Sequence, residues 1–212
     1  MDFSDELISS LRERLRQPLP GWQAQQRMAT EHHRTARLLP LPNAKRAGVL
    51  ILLYPGSEQR LYFPLIQRPH YDGAHSGQIA FPGGKVEPED ASMVDTALRE
   101  TREEIGVEVL PDQVLGQLSD LYIPVSKFIV SPVVAFVREP PTYQADPVEV
   151  AATLDVLAQS FLQPENRTVK EIQVRGTTLQ APAYLVQKQI IWGATAMILA
   201  EFFAVLQQID NQ

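Results

Sequence analysis

One stretch constrains this chain more than any other. It runs from Gly83-Gly84-Lys85-Val86-Glu87-Pro88-Glu89-Asp90 through an amphipathic segment that closes at Gly106. Ala91–Ile105 reads as a helix, with Gly106 in the usual C-terminal position. At about 100° per residue, Glu103 and Glu104 fall within about 60° of Glu100, one on either side. Val94, Leu98, Thr101 and Ile105 gather on roughly the opposite side, so one face is apolar and the other collects negative charge.

Three carboxylates within one turn repel each other and disfavour each other's ionisation. Their place near a helix C-terminus adds to that cost, because the macrodipole prefers cations there. A hard cation such as Mg²⁺ or Mn²⁺ removes the conflict, since oxygen ligands are what it takes. By itself a Glu-rich face is most simply a solvated surface, and a Gly-Gly pair most simply a turn. Their joint occurrence is what points to chemistry: glycines let backbone approach a ligand where carboxylates hold a metal.

The rest of the chain supplies a frame. With 212 residues it suits one medium domain plus a small appendage: residues 1–45 as an N-terminal helix and linker arm, 46–212 as the main domain. Ser4 caps a first helix carrying Leu7, Ile8, Leu11 and Leu15, ended by Pro18, Pro20 and Gly21. Packing of this helix on its own domain is a simpler expectation than partner binding. Gln23–Arg46 is polar and reads as a linker or loose arm. Gly48–Tyr54 and Arg60–Arg68 form a strand pair around the turn Pro55-Gly56-Ser57, and Gln78–Phe81 is short and strand-like. Val107–Leu110, Val114–Ile123, Ile129–Val137, Val169–Val174 and Tyr184–Ile191 read as extended. Leu154–Phe161 reads as a short helix and Gly193–Ile209 as a long closing one. Strands, helix, strands, helix predict an α+β fold with a mixed sheet between helices.

Composition excludes several functions. The 25 acidic residues exceed the 19 basic ones, giving a net charge of −6, which argues against a broad nucleic-acid surface. It leaves room for a small phosphorylated substrate, whose charge a bound cation neutralises. Cysteine is absent, so disulfides, thiolate metal sites and cysteine nucleophiles are excluded. The N-terminus lacks a signal-peptide core, and the apolar run Ile190–Leu206 is interrupted by Gly193, Thr195 and Glu201. A cytoplasmic protein without membrane association is expected, its partner a small nucleotide; a homodimer is left open.

These residues resemble the Nudix box, Gly-x5-Glu-x7-Arg-Glu-U-x-Glu-Glu-x-Gly-U, where U is aliphatic. From Arg99 to Val107 the match is complete apart from Thr101 at the first U. Upstream, five residues after Gly84 lead to Asp90 rather than Glu, and eight rather than seven separate it from Arg99. A box of this length resembles the coenzyme A pyrophosphatase branch, whose upstream signature is Leu-Leu-Thr-x-Arg-Ser-x3-Arg-x3-Gly-x3-Phe-Pro-Gly-Gly. Leu65, Arg68, Gly77, Phe81, Pro82, Gly83 and Gly84 fall in register with it, while Ile66, Pro69 and Gly73 replace the Thr, the Ser and the second Arg. Ile191–Ala196 also resembles that branch.

The resemblance implies a Nudix-type α/β/α sandwich that hydrolyses a diphosphate bond with Mg²⁺ or Mn²⁺. Its substrate would be coenzyme A or an acyl-CoA; ADP-ribose, dinucleotides and nucleoside triphosphates are alternatives, as is a non-catalytic ligand sensor. Glu100 and Glu104 are implied metal ligands, with Glu103 a further ligand or the group that orients or deprotonates water. The Gly83 carbonyl completes the shell. Arg99 joins Glu103 in the catalytic set, bracing the loop by pairing with Asp90 or a nearby carboxylate. Arg68, Gly84 and Lys85 are candidate substrate contacts, although Arg68 and Lys85 also read as solvated charges. His70 and His75 precede the Gly-Gly turn and read as solvated unless they touch phosphate or act as a base. Tyr71, Phe81 and Tyr122 are candidates for stacking an adenine, though strand aromatics usually join the core. Glu149 lies where some Nudix enzymes place an extra carboxylate. Trp192 and Phe202 read as core.

Overall fold

A computed structural model describes residues 3–36, 39–71, 75–174 and 176–209. In chain order the elements are α1 (Asp5–Arg14), α2 (Trp22–Gln25), α3 (Glu31–Ala36), β1 (Lys45–Pro55), β2 (Leu61–Gln67), β3 (Ile79–Ala80), β4 (Gly83–Lys85) and α4 (Met93–Ile105). Then come β5 (Val114–Gln117), β6 (Leu121–Ile123), β7 (Phe128–Phe136), β8 (Ala152–Leu157), β9 (Arg167–Val174), β10 (Thr177–Val186), β11 (Gln189–Trp192) and α5 (Gly193–Ile209).

β1 organises the main sheet. It runs parallel to β7 from Lys45↔Phe128 to Leu53↔Phe136, while its start pairs antiparallel with β4 and its end with β2. β2 also pairs with β3 and β8, and β7 with β5 and β6; β9, β10 and β11 form a separate antiparallel sheet. The main sheet is therefore mixed.

Both faces of β1 are covered, which explains its continuous apolar run. Leu50 and Leu52 join one core with Ala97, Ile105, Val133 and Ala135, beneath α4. Ile51 and Leu53 join the other with Val134, Phe136, Phe63, Phe161, Phe202 and Leu206, beneath α5. The period-2 alternation thus sorts one strand into two cores. This is an α/β/α sandwich of the α+β class. No described helix is long and apolar enough to cross a membrane.

Several elements differ from their local reading. Leu154–Phe161 is not a helix: β8 pairs with β2 through Leu65↔Leu154 and Phe63↔Val156, and only Ala158–Phe161 forms a 3₁₀ turn. A vacant sheet edge outweighed weak local propensity. Tyr184–Ile191 is two strands rather than one, reversed at Gln187 (φ 52°) and Lys188 (φ 66°) without the Asn-Gly signal such turns usually carry. Val114–Ile123 is likewise split between β5 and β6, and Val107–Leu110 forms no strand although Val107 and Val109 are buried. Nor is Gln23–Met28 a loose arm: Ala24, Gln25, Met28 and Ala29 are buried, and Leu11 of α1 is fully buried. The Ser4 cap is present, its hydroxyl accepting from Leu7 N at 3.0 Å. Gly73 lies outside the described residues.

Candidate active site

α4 is placed by its ends and by one glycine beneath it. Ser92 Oγ accepts from Asp95 N at 3.2 Å at the N-terminus, and Gly106 closes the C-terminus in a left-handed conformation (φ 70°). A Cβ on Gly48 would lie 3.0 Å from Ala97 N, so β1 offers the helix a groove. The face against the sheet is Thr96, Ala97, Thr101, Glu104 and Ile105, while Val94 and Leu98 are only partly buried. One of the three carboxylates therefore lies inside.

The two glycines do different work. Gly83 (φ 145°) runs beside β1, where a Cβ would sit 2.5 Å from Val49 Cα, and its N–H donates to Glu104 Oε2 at 2.7 Å. At Gly84 a Cβ would sit 2.5 Å from the Glu100 carboxyl carbon. Any side chain there displaces that carboxylate.

Arg99 clamps the loop to the helix. Its Nε and Nη2 donate to Asp90 Oδ1 and Oδ2 at 3.0 and 2.9 Å, and Nη2 also donates to the Lys85 carbonyl at 3.1 Å. Nη1 donates to Glu100 at 3.0 Å and Glu103 at 2.8 Å. The extra loop residue is absorbed by a turn in which Asp90 N donates to Glu87 O at 3.1 Å and Asp90 Oδ2 accepts from Glu87 N at 2.9 Å. The shorter acid still meets the guanidinium with both oxygens.

Ligand oxygens of Glu100, Glu104 and Glu149 lie within 4.8 Å of one another. Glu103 stands apart from this trio, half exposed and held by Arg99. Glu149 enters from the loop after β7, which docks on the C-terminus of α4: Gln144 N donates to Ile105 O at 2.8 Å and Asp146 N to Glu104 O at 2.9 Å. Burial pushes the Glu104 carboxyl up to about 7 against the Gly83 N–H and Arg68, with Glu100 and Glu149 adding to the rise. Burial likewise raises Glu100 against the pull of Arg99. Asp90 goes the other way, lowered to about 2 by its Arg99 hydrogen bonds first.

Beside the trio, separated from it by Gly83 and Gly84, opens a cleft of ≈ 270 Å³. Its apolar wall includes Val49, Phe81, Ile123, Phe128 and Ile198; its polar lining includes Arg68, His75, Gln78, Lys85 and Ser126. No acidic side chain is among its described lining residues, in a chain of net charge −6. Arg68 Nη2 donates to the Gly83 carbonyl at 3.2 Å and lies 4.0 Å from Glu104. The Gly83 carbonyl, expected as a metal ligand, accepts this bond with one of its two lone pairs and keeps the other. His75 has φ 71° and its Nδ1 lies 3.0 Å from Gln78 Oε1. His70 instead packs against Gly77. Of the stacking candidates, Tyr71 lines the cleft and is 47% exposed, Phe81 is buried in its wall, and Tyr122 is not among its lining residues. Phe202 is core and Trp192 partly buried. Ile123, Ser126, Phe128 and Gln78 were missed from sequence, because nothing local marks a strand or turn residue as facing a cleft.

Residues 44–167 match the NUDIX domain, well over half of the chain. The protein named "Uncharacterized Nudix hydrolase NudL" from Yersinia enterocolitica is 34% identical over 157 residues, covering 74% of this chain and 79% of the relative. The chain belongs to the Nudix family. A NudL-named protein of Photorhabdus laumondii is also 34% identical, over 63% of this chain and 71% of its own length. The crystal structure of a MutT/nudix family protein from Enterococcus faecalis superposes with TM-score 0.57 at 18% identity, over 97% of this chain and 76% of that one, which shows a shared fold.

This chain is therefore a Nudix hydrolase, and Nudix hydrolases generally use divalent metal ions. The residues fit such an ion. Three carboxylates supply hard oxygen donors from two directions, and Glu104, raised by burial first and by Glu100 and Glu149 after it, is an acid whose ionised form a cation would stabilise. Gly84 leaves the Glu100 carboxylate its space.

Proposed function

We propose that this Nudix hydrolase cleaves the diphosphate of coenzyme A or an acyl-CoA, giving adenosine 3′,5′-bisphosphate and a phosphopantetheine moiety. One observation carries the diphosphate reading: Gly83, at the start of β4, is fastened to Glu104, one of three converging carboxylates. The upstream residues Leu65, Arg68, Gly77 and Phe81–Gly84 support the coenzyme A assignment through their register with that branch's signature. A cleft lined by Arg68 and Lys85, without acids among its described lining, suits a polyanion carrying an organic arm.

Glu100, Glu104 and Glu149 would hold Mg²⁺ or Mn²⁺, which when bound supplies a Lewis acid and neutralises diphosphate charge. Arg68 and Lys85 contact phosphate oxygens, and the Gly84 backbone approaches the same group. Glu103, hydrogen-bonded to Arg99, accepts a proton from water as the oxygen attacks phosphorus. The bond from that phosphorus to the bridging oxygen breaks, and the other phosphate leaves with that oxygen. Asp90 and Arg99 hold the loop against the helix throughout.

A panel of coenzyme A, acyl-CoA, ADP-ribose, a dinucleotide and a nucleoside triphosphate, incubated with Mg²⁺ or Mn²⁺ and read by product mass, tests the assignment. Adenosine 3′,5′-bisphosphate from coenzyme A is the expected product. Gly73, standing where the signature has its second Arg, favours a second reading in which ADP-ribose, a dinucleotide or a triphosphate is hydrolysed instead. Silence across the panel at high enzyme concentration would favour a ligand sensor. Glu103→Gln should fold normally and lose turnover severalfold to many thousandfold; a fully active variant rejects its role.

A further inference from the structure

Two tyrosines from distant parts of the chain end on one acceptor. The Tyr54 hydroxyl, at the end of β1, and the Tyr143 hydroxyl, in the loop between β7 and β8, both donate to Asp155 Oδ1 on β8. The two hydroxyl oxygens are 3.3 Å apart. Tyr54 is buried, and Asp155 is fixed by its strand pairing opposite Pro64 of β2. Burial first, and then Asp155, pushes both phenols above their ordinary range, so both remain donors at neutral pH.

Tyr143 begins the segment that delivers Glu149. After it, Gln144 N and Asp146 N cap the carbonyls of Ile105 and Glu104. The chain then winds on Asp146, whose side chain accepts from Val148 N at 2.8 Å and whose carbonyl accepts from Glu149 N at 3.2 Å and Val150 N at 2.8 Å. The Glu149 carboxylate emerges beside Glu100 and Glu104. Those two share a rigid helix and cannot part; Glu149 rides on a loop, is exposed, and is repelled by both. Something must hold it in.

We propose that the Tyr54–Asp155–Tyr143 clasp positions Glu149, and thereby sets how tightly the carboxylate trio holds a divalent cation. This rests on the metal reading given under Proposed function. Tyr143 touches neither cation nor substrate; it is a positioning residue acting through Glu149. Tyr143→Phe is the informative change, because the ring stays and Tyr54 keeps its acceptor.

The test is calorimetric titration of Mn²⁺ alone into the wild type, Tyr143→Phe, Glu149→Gln and the double variant, with thermal melts of each metal-free protein. Tyr143→Phe should weaken Mn²⁺ binding about tenfold, in line with other outer-sphere substitutions, and Glu149→Gln, which alters a ligand, by at least as much. The double variant should bind no worse than Glu149→Gln, since a residue acting through Glu149 has nothing left to position. Unaltered affinity in Tyr143→Phe, or losses that multiply in the double variant, would overturn the proposal while leaving the metal reading intact. A wild type that binds no Mn²⁺ overturns both.

Discussion

Glu104 holds the strongest tension at the level of single residues. It is 2% exposed, yet its carboxylate is asked to receive the Gly83 N–H and face Arg68. Burial wins in the metal-free protein and lifts the group from 4.5 to about 7. The folded value exceeds the unfolded one, so the folded state gains relative stability by taking the proton. That gain is complete below about 4.5 and is lost as pH rises through about 7, a change on the order of 3 kcal/mol. Melts in a chelator should therefore fall across that interval, and Glu104→Gln should flatten it. Added Mn²⁺ should oppose the fall, because ligation needs the deprotonated group. If the slope persists in the Gln variant, another residue is responsible. The position of this carboxylate on the helix was legible in sequence, but its burial was not: α4 packs that side inward over Gly48 of β1 and against Gly83 of β4.

At the scale of elements, α4 and the loop before it behave as one unit because of Asp90 and Arg99. Spacing alone left open whether a shorter acid, one residue displaced, reaches the arginine. The Glu87–Asp90 turn closes that gap, and Thr96 Oγ1 adds a third partner to the carboxylate, after Arg99 and Glu87, at 2.9 Å. Removing the acid with Asp90→Ala should cost about 2 kcal/mol at neutral pH, since Arg99 keeps Glu100 and Glu103. The sign of its pH dependence is opposite to that of Glu104. Asp90 has a folded value of about 2, below the unfolded 3.8, so its contribution is present above about 4 and is lost as pH falls through about 2. Urea melts of wild type and variant should converge at the acid end; a gap that stays constant would show that the lost contacts are not electrostatic.

The whole molecule is tied together by a second buried glutamate. Glu201 of α5 is fully buried and accepts from Gly21 N at 3.0 Å, Gln25 Nε2 at 2.8 Å and Ser119 N at 3.3 Å. It joins the N-terminal helices to α5 and to the turn between β5 and β6. Glu201→Ala strips three donors of their acceptor and should destabilise by about 3 kcal/mol, roughly 10 °C in Tm for a chain of this size. Limited proteolysis should then cut first before Lys45, while Mn²⁺ affinity at the distant trio stays unchanged. Cleavage spread evenly over the chain would mean that Glu201 supports the whole core rather than the arm.

Local rules carried the reading where the determining interactions are local. The acidic face of α4, its closing Gly106, the β1–β2 hairpin and the span of α5 follow from periodicity and turn residues within a few positions of each other. Tertiary structure decided what depends on partners far along the chain. Leu154–Leu157 became a strand because β2 had an edge to fill, Gln23–Met28 folded because Glu201 and α5 were there to receive it, and Glu149 met Glu100 and Glu104 because the loop after β7 docks on the end of α4. A hydrogen bond between residues a hundred positions apart leaves no periodic trace in either segment, so only the folded chain reveals it.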